Sequence, residues 1–173
     1  NGKLYDNVLM RIKGTTSRYL FKRSHRVDFN PGRDFEWSPD FPSQRELNLN
    51  SEYNDPSYLR QYHQLKMHRE SGGSGAPPFP VKVLMNGTAW QLAFHTYSAD
   101  SELVETMGLD PRGALYKQVG QLDTNAGGEK KSRRWEGTDD FTAFKNGIRS
   151  TASSANKSLY MFDNLNLPAV INY

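Results

Sequence analysis

The chain holds 173 residues, with 22 Lys and Arg against 19 Asp and Glu, a net charge of +3. Hydrophobic residues make up 36% and mean hydropathy is −0.78, yet aromatic rings reach 12%. This excludes a wholly disordered chain and a membrane-spanning helix, and the charge by itself is far too small to imply nucleic acid. With no Cys, disulfides, thiolate metal sites and a cysteine nucleophile are excluded as well. One domain with its own core is expected over residues 1–173. The first residue is Asn1 rather than Met, so we read the chain as a fragment or processed piece, and the lack of a targeting segment carries no information.

Residues 4–12 alternate loosely and carry Val8, Leu9, Met10 and Ile12, which predicts a strand. Gly14-Thr15-Thr16-Ser17 reads as a turn, and Tyr19 to Phe29 as a second strand pairing with the first as a hairpin. Asn30-Pro31-Gly32 ends it, and 33–46 reads as an irregular loop. Leu47–Leu49 is strand-like. Asp55-Pro56 predicts a helix over 56–69, with Asp55 as N-cap, Pro56 in the first helical position, and Tyr58, Leu59, Tyr62 and Leu65 at helical spacing.

The stretch from Ser71 to Pro78 reads as a flexible connection. Val81–Met85 and Ala89–Phe94 are strands, joined at Asn86-Gly87, two residues that tolerate positive φ. Ala99–Met107 reads as a short helix capped by Asp100 or Ser101 and stopped by Gly108. Ala114–Val119 is a strand, and 120–138, including Lys130, is expected to be exposed. Asp139 or Asp140 caps a helix to about Arg149, Ser150 to Ser158 reads as a polar loop, and Met161 to Tyr173 as helical from Asp163 or Pro168. The expected architecture is α+β: a mostly antiparallel sheet of five or six strands with the 56–69 helix packed on one face.

Residues 11–26 hold Arg11, Lys13, Arg18, Lys22, Arg23 and Arg26 and no acid, around the Gly14–Ser17 turn. Turn amides, hydroxyls and cations together suit phosphate oxygens, and a solvated hairpin surface is the plain alternative. The turn is neither a Walker sequence nor GxGxxG. His63 and His68 are five apart, which does not place both on one helix face, and no HExxH pattern occurs. No GxSxG nucleophile motif occurs either. Asn-x-Ser/Thr tripeptides stand at Asn86-Gly87-Thr88 and Asn156-Lys157-Ser158.

Taken in order, the segments resemble the CotH family, proteins of spore-coat type with an atypical protein-kinase-like fold. Arg11-Ile12-Lys13-Gly14-Thr15-Thr16-Ser17-Arg18 is similar to the family's Arg-x-(Arg/Lys)-Gly-x-Ser-Ser-Arg, and Phe21-Lys22-Arg23-Ser24-His25-Arg26 to its Pro-Lys-Lys-Ser-Tyr-(Lys/Arg). Leu47-Asn48-Leu49 and Asp55-Pro56-Ser57-Tyr58-Leu59-Arg60 resemble its leucine strand followed by Asp-x-Ser-x-Leu-Arg. Val83-Leu84-Met85-Asn86-Gly87 and Leu115-Tyr116-Lys117 resemble its later strand-turn and Leu-Tyr-Lys.

The resemblance implies the N-lobe and the start of the C-lobe of a kinase-like fold. It implies a phosphate-binding turn at Gly14, Thr15, Thr16 and Ser17, Lys22 as the phosphate lysine, and Arg11 and Arg18 as further contacts. Asp55 and Arg60 would support the lobe at the helix start. Two positions depart from the family: Gln91 stands in place of Gly, and His95-Thr96-Tyr97 stands where an acidic residue falls. The family's Mg²⁺-holding Asp and Asn motifs come after the segment that ends at Tyr173.

Two functions follow from the resemblance. One is an extracellular or cell-surface structural or interaction module, with protein partners or self-assembly and without a complete catalytic site. The other is an ATP- and Mg²⁺-dependent protein kinase whose catalytic acids lie beyond residue 173. A carbohydrate-binding module on Trp37, Trp90 and Trp135 is a third reading, set against the usual burial of rings in cores.

Overall fold

The computed structural model describes residues 2–73, 75–118, 120–122, 128–149 and 151–171. Strands β1 (Leu9–Lys13), β2 (Ser24–Asp28), β3 (Glu46–Asn50), β4 (Phe79–Met85) and β5 (Thr88–Thr96) form one sheet in the order β1-β2-β3-β5-β4, with every neighbouring pair antiparallel. Helix α1 (Arg60–Glu70) joins β3 to β4, and α2 (Ser101–Thr106) follows β5. A two-stranded ribbon of β6 (Tyr116–Lys117) and β7 (Glu129–Lys130) comes next, then α3 (Asp139–Gly147), α4 (Ser154–Asn164) and α5 (Leu167–Ile171). The fold is α+β with a mainly antiparallel five-stranded sheet, as expected.

Strand alternation gives the sheet two unlike faces. On one, Leu47, Leu49 and Ala93 are buried against Val27, Phe29, Phe35, Val81 and Val83. The loop after β2 covers part of this face. Phe29 and Phe35 stack with ring centroids 5.3 Å apart, and Trp37 stacks on Phe79 at 4.1 Å. A bridge between Phe35 and Gln44 pins that loop. The opposite face carries Arg11, Lys13, Arg26, Glu46, Asn48 and Asn50, by the register Arg11–Arg26, Arg26–Asn48 and Lys13–Ser24. Asn86 and Gly87 adopt φ values of 51° and 79°, the paired left-handed conformation a two-residue hairpin loop requires.

Several boundaries move. The first hairpin is present, but β1 starts at Leu9 and β2 at Ser24, because a 3₁₀ turn at Ser17–Tyr19 takes up the start of the expected second strand. The 56–69 helix begins instead at Arg60, with Leu59 at the N-cap position. Tyr58 has φ 55°, a left-handed conformation that an L-residue helix cannot pass through.

Asp55 still caps that helix from a distance. Its carboxylate accepts from the amides of Ser57, Leu59 and Arg60 and from the Ser57 hydroxyl. The Ser57 hydroxyl first, then the Arg60 amide, hold its carboxyl at about 2. Asp55→Ala is expected to lower the thermal midpoint by roughly 2–4 °C. A midpoint unchanged in differential scanning calorimetry would mean that Tyr58 alone sets the helix start.

Helix α1 does not pack as a buried layer: none of its residues is buried, and its ring contact with the sheet is Tyr62 against Phe94, 6.2 Å between centroids. Its Gln, His, Lys and Arg residues leave no continuous apolar stripe.

The Ala99–Met107 helix is observed as α2, with Asp100 accepting from the amides of Glu102 and Leu103 and Gly108 at φ 73°. The Ala114–Val119 strand shrinks to β6; Val119, and 123–127 of the Gly-rich stretch, lie outside the described residues. Lys130 is buried, not exposed, with Nζ donating to Gly137 O at 2.8 Å and paired with Glu136. Asp139 and Asp140 lie in the first turn of α3, where Thr138 is at the N-cap position. The polar loop expected over Ser150 to Ser158 is largely α4, capped by Ser153, whose side chain accepts from the Asn156 amide. The final helical segment is split, α4 ending at Asn164 and α5 starting at Leu167.

Candidate functional site

The polar sheet face borders a cleft of about 1460 Å³, whose far walls come from segments 97–101, 110–113 and 131–136. Eight Lys and Arg against four Asp and Glu line it, so its field favours anions. A second concavity of about 520 Å³ lies between the Gly14–Ser17 turn, the chain after β3 and the first turns of α1. Lys13 lines both.

The alternation Glu46-Leu47-Asn48-Leu49-Asn50 explains the chemistry of β3. Its leucines enter the core while its polar residues face the cleft. Arg11 and Arg26 are directly opposite on β1 and β2, a like-charge pairing that needs compensation. Asp28 supplies it, 3.1 Å from Arg11 Nε and 2.6 Å from Arg26 Nε. The other arm of Arg26 pairs with Glu46.

Asn48 is fully buried, and its Nδ2 donates to Glu46 Oε1 at 3.1 Å and Ser98 Oγ at 3.0 Å. Its Oδ1 is buried without a hydrogen-bond partner. Lys13 Nζ donates to Asn50 Oδ1 at 3.4 Å. Burial pushes the Lys13 ammonium down from its ordinary value, with Glu46 opposing and Arg26 adding to the shift. Burial likewise pushes the Glu46 carboxyl up.

The residues read as phosphate contacts take distinct positions. Gly14 has φ 99°, and a Cβ there would fall 2.0 Å from Ser17 Oγ. The turn therefore needs a residue without a side chain. Ser17 Oγ donates to Lys13 O, and Arg18 Nε donates to Gly14 O at 2.9 Å, which locks the turn onto itself. Thr15 and Thr16 are exposed at its tip. Gly14 and Ser17 line the smaller concavity, not the larger cleft. Lys22 precedes β2; its Nζ donates to Leu92 O at 2.6 Å and lies 4.3 Å from the Tyr58 ring centroid. Arg11 belongs to the Asp28 bridge.

The structure thus brings Gly14, Ser17 and Lys13 to one concavity and sets Lys22 on a backbone carbonyl of β5. Glu46, Asn48 and Asn50 were missed as site residues. Their signal was present as polar residues alternating with two leucines, but a polar strand face more often meets solvent than a ligand.

His95, one of the positions departing from the family pattern, faces the core and not the cleft. It is 1% exposed, with Nδ1 3.3 Å from Asn48 O and its ring against Phe79 and Tyr97. Burial pushes its imidazole down to about 4. Among the described residues no group of three or more His, Asp or Glu is placed to hold a metal ion, and no helix is long and apolar enough to cross a membrane.

Comparison with known families matches the chain to the family described as CotH kinase protein, over residues 10–173. Comparison with curated proteins gives no match.

Proposed function

The chain belongs to the CotH family, and on that premise we propose that it is the nucleotide-binding lobe of a CotH-type phosphotransferase. The observation that carries this reading is Lys13, the wall shared by the cationic cleft and by the concavity under the Gly14–Ser17 turn. A nucleotide extending from one to the other passes this ammonium.

ATP suits these residues. The excess of cations in the cleft complements a triphosphate. Asn48, fully buried, holds Glu46 and Ser98 in place through its Nδ2. When bound, ATP supplies the transferable γ-phosphoryl group. Lys13 binds phosphate oxygens, Arg26 is held in place by Asp28 and Glu46, and the locked Gly14–Ser17 turn keeps its shape. Among the described residues no group of three His, Asp or Glu is gathered for a metal ion, and no step is routed through Mg²⁺.

The second reading, an extracellular or cell-surface structural module, is favoured by Arg18 and Lys22, whose side chains are spent on the backbone carbonyls of Gly14 and Leu92. Titration calorimetry with ATP and with tripolyphosphate, at about 0.15 M salt, separates the two. Binding of both, weakening as salt rises, supports the nucleotide lobe. No heat with a folded chain removes it and leaves the structural module standing.

A further inference from the structure

Asn86 and Gly87 form the loop between β4 and β5, closed by the Met85–Thr88 pair, and both are exposed. A Cβ built on Gly87 would meet nothing within 4 Å, so no group from elsewhere in the chain crowds the hairpin tip. One other Asn-Gly pair lies wholly among the described residues, Asn146-Gly147, and its surroundings are opposite. It ends α3, and a Cβ on Gly147 would fall 2.4 Å from the Tyr160 ring.

We propose that Asn86 is a site of spontaneous covalent modification, converting to aspartate and isoaspartate through a succinimide. The Gly87 peptide nitrogen attacks Cγ of Asn86. The N–Cγ bond forms, that nitrogen gives up its proton, and the Cγ–Nδ2 bond breaks with release of ammonia. Water then opens the ring at either carbonyl. Water is the only co-reactant, and no electron is transferred.

Each product places a new carboxylate at the hairpin tip. Isoaspartate also inserts a methylene into the backbone of a two-residue loop, which loosens the Met85–Thr88 pairing. The reaction requires the loop to leave its left-handed conformation briefly. That opening is local at an exposed tip, whereas at Gly147 it requires the end of α3 to unwind from beneath Tyr160.

The test is peptide mapping by mass spectrometry of the native chain held in mildly alkaline buffer, beside the same chain in denaturant. Asn86→Asp supplies the retention standard for one product. Conversion is read as a gain of about one mass unit on the peptide holding residue 86 or 146. In denaturant both sites are expected to convert at similar rates, each being Asn followed by Gly. In the native chain Asn86 is expected to convert at least about tenfold faster than Asn146. In denaturant, where the strain of a side chain at φ 79° is absent, Gly87→Ala, which puts a side chain beside the attacking nitrogen, is expected to slow Asn86 alone. Equal native rates at the two sites, or an Asn86 that persists natively while the denatured chain converts, would overturn the proposal.

Discussion

Lys13→Ala is expected to weaken ATP and tripolyphosphate binding by roughly 10- to 100-fold, the scale of one charged hydrogen bond of about 1.5–3 kcal/mol. Lys13 lines both concavities, and burial has already disfavoured its charge. An anion restores what desolvation removed, so the ligand contact is stronger there than at a solvated lysine.

Lys22→Ala is the informative partner. The family resemblance makes Lys22 the phosphate lysine, yet its ammonium holds Leu92 O and lies over Tyr58. Losing it is expected to lower the thermal midpoint while changing affinity by less than about threefold. Lys66→Ala serves as the control for nonspecific charge, since Lys66 is half-exposed on α1, pairs with Glu70 and lines neither concavity. Lys130 is unsuitable, being buried against Gly137 and Glu136. If calorimetry finds the large loss in Lys22→Ala and none in Lys13→Ala, the phosphates lie at the hairpin edge, away from the Lys13 wall.

Stability is expected to fall by about 3 kcal/mol as pH drops from the ordinary histidine value of 6.5 to about 4, through His95 alone. The folded chain keeps this ring neutral; the unfolded chain protonates it below 6.5. The unfolded state thus binds more protons across that window, and stability is complete above it and lost on acidification.

The cause is placement: the ring is 1% exposed, between Phe79 and Tyr97, with Nδ1 on Asn48 O and the Lys13 charge opposing protonation. His95→Gln keeps a donor toward Asn48 O and cannot titrate. Urea unfolding at several pH values is expected to show a slope in this window for the native chain and a much flatter one for the variant. Matching slopes would mean that the ring opens to water before it protonates.

Where backbone chemistry decides an element, its sequence sufficed. Asn86-Gly87 predicted a tight hairpin because few other pairs tolerate two left-handed residues, and Asp100 or Ser101 predicted the start of α2, where the Asp100 carboxylate is the one that reaches the next free amides. The Leu47–Leu49 alternation placed β3. Family membership was legible in the order of short motifs, none of which stands alone.

Other features were not set by the pattern of their own segment. Tyr58 takes a left-handed conformation, so Asp55 caps a helix beginning five residues later, at Arg60. Lys130 lies in a Gly-rich, charged stretch that reads as surface; folding buries it against residues that follow it. The candidate site shows the same division. The basic residues around Gly14 were visible as a local cluster, but which of them meets a cavity depends on strand register. Register sets Arg26 opposite Asn48 and Lys13 opposite Ser24, within reach of Asn50 on β3, and it leaves Lys22 outside β2 on the carbonyl of Leu92. Local propensities and capping chemistry act over a few residues and can be read one segment at a time. Burial, cross-strand pairing and the sharing of Lys13 between two concavities exist only once the segments meet, so the tertiary structure alone decided them.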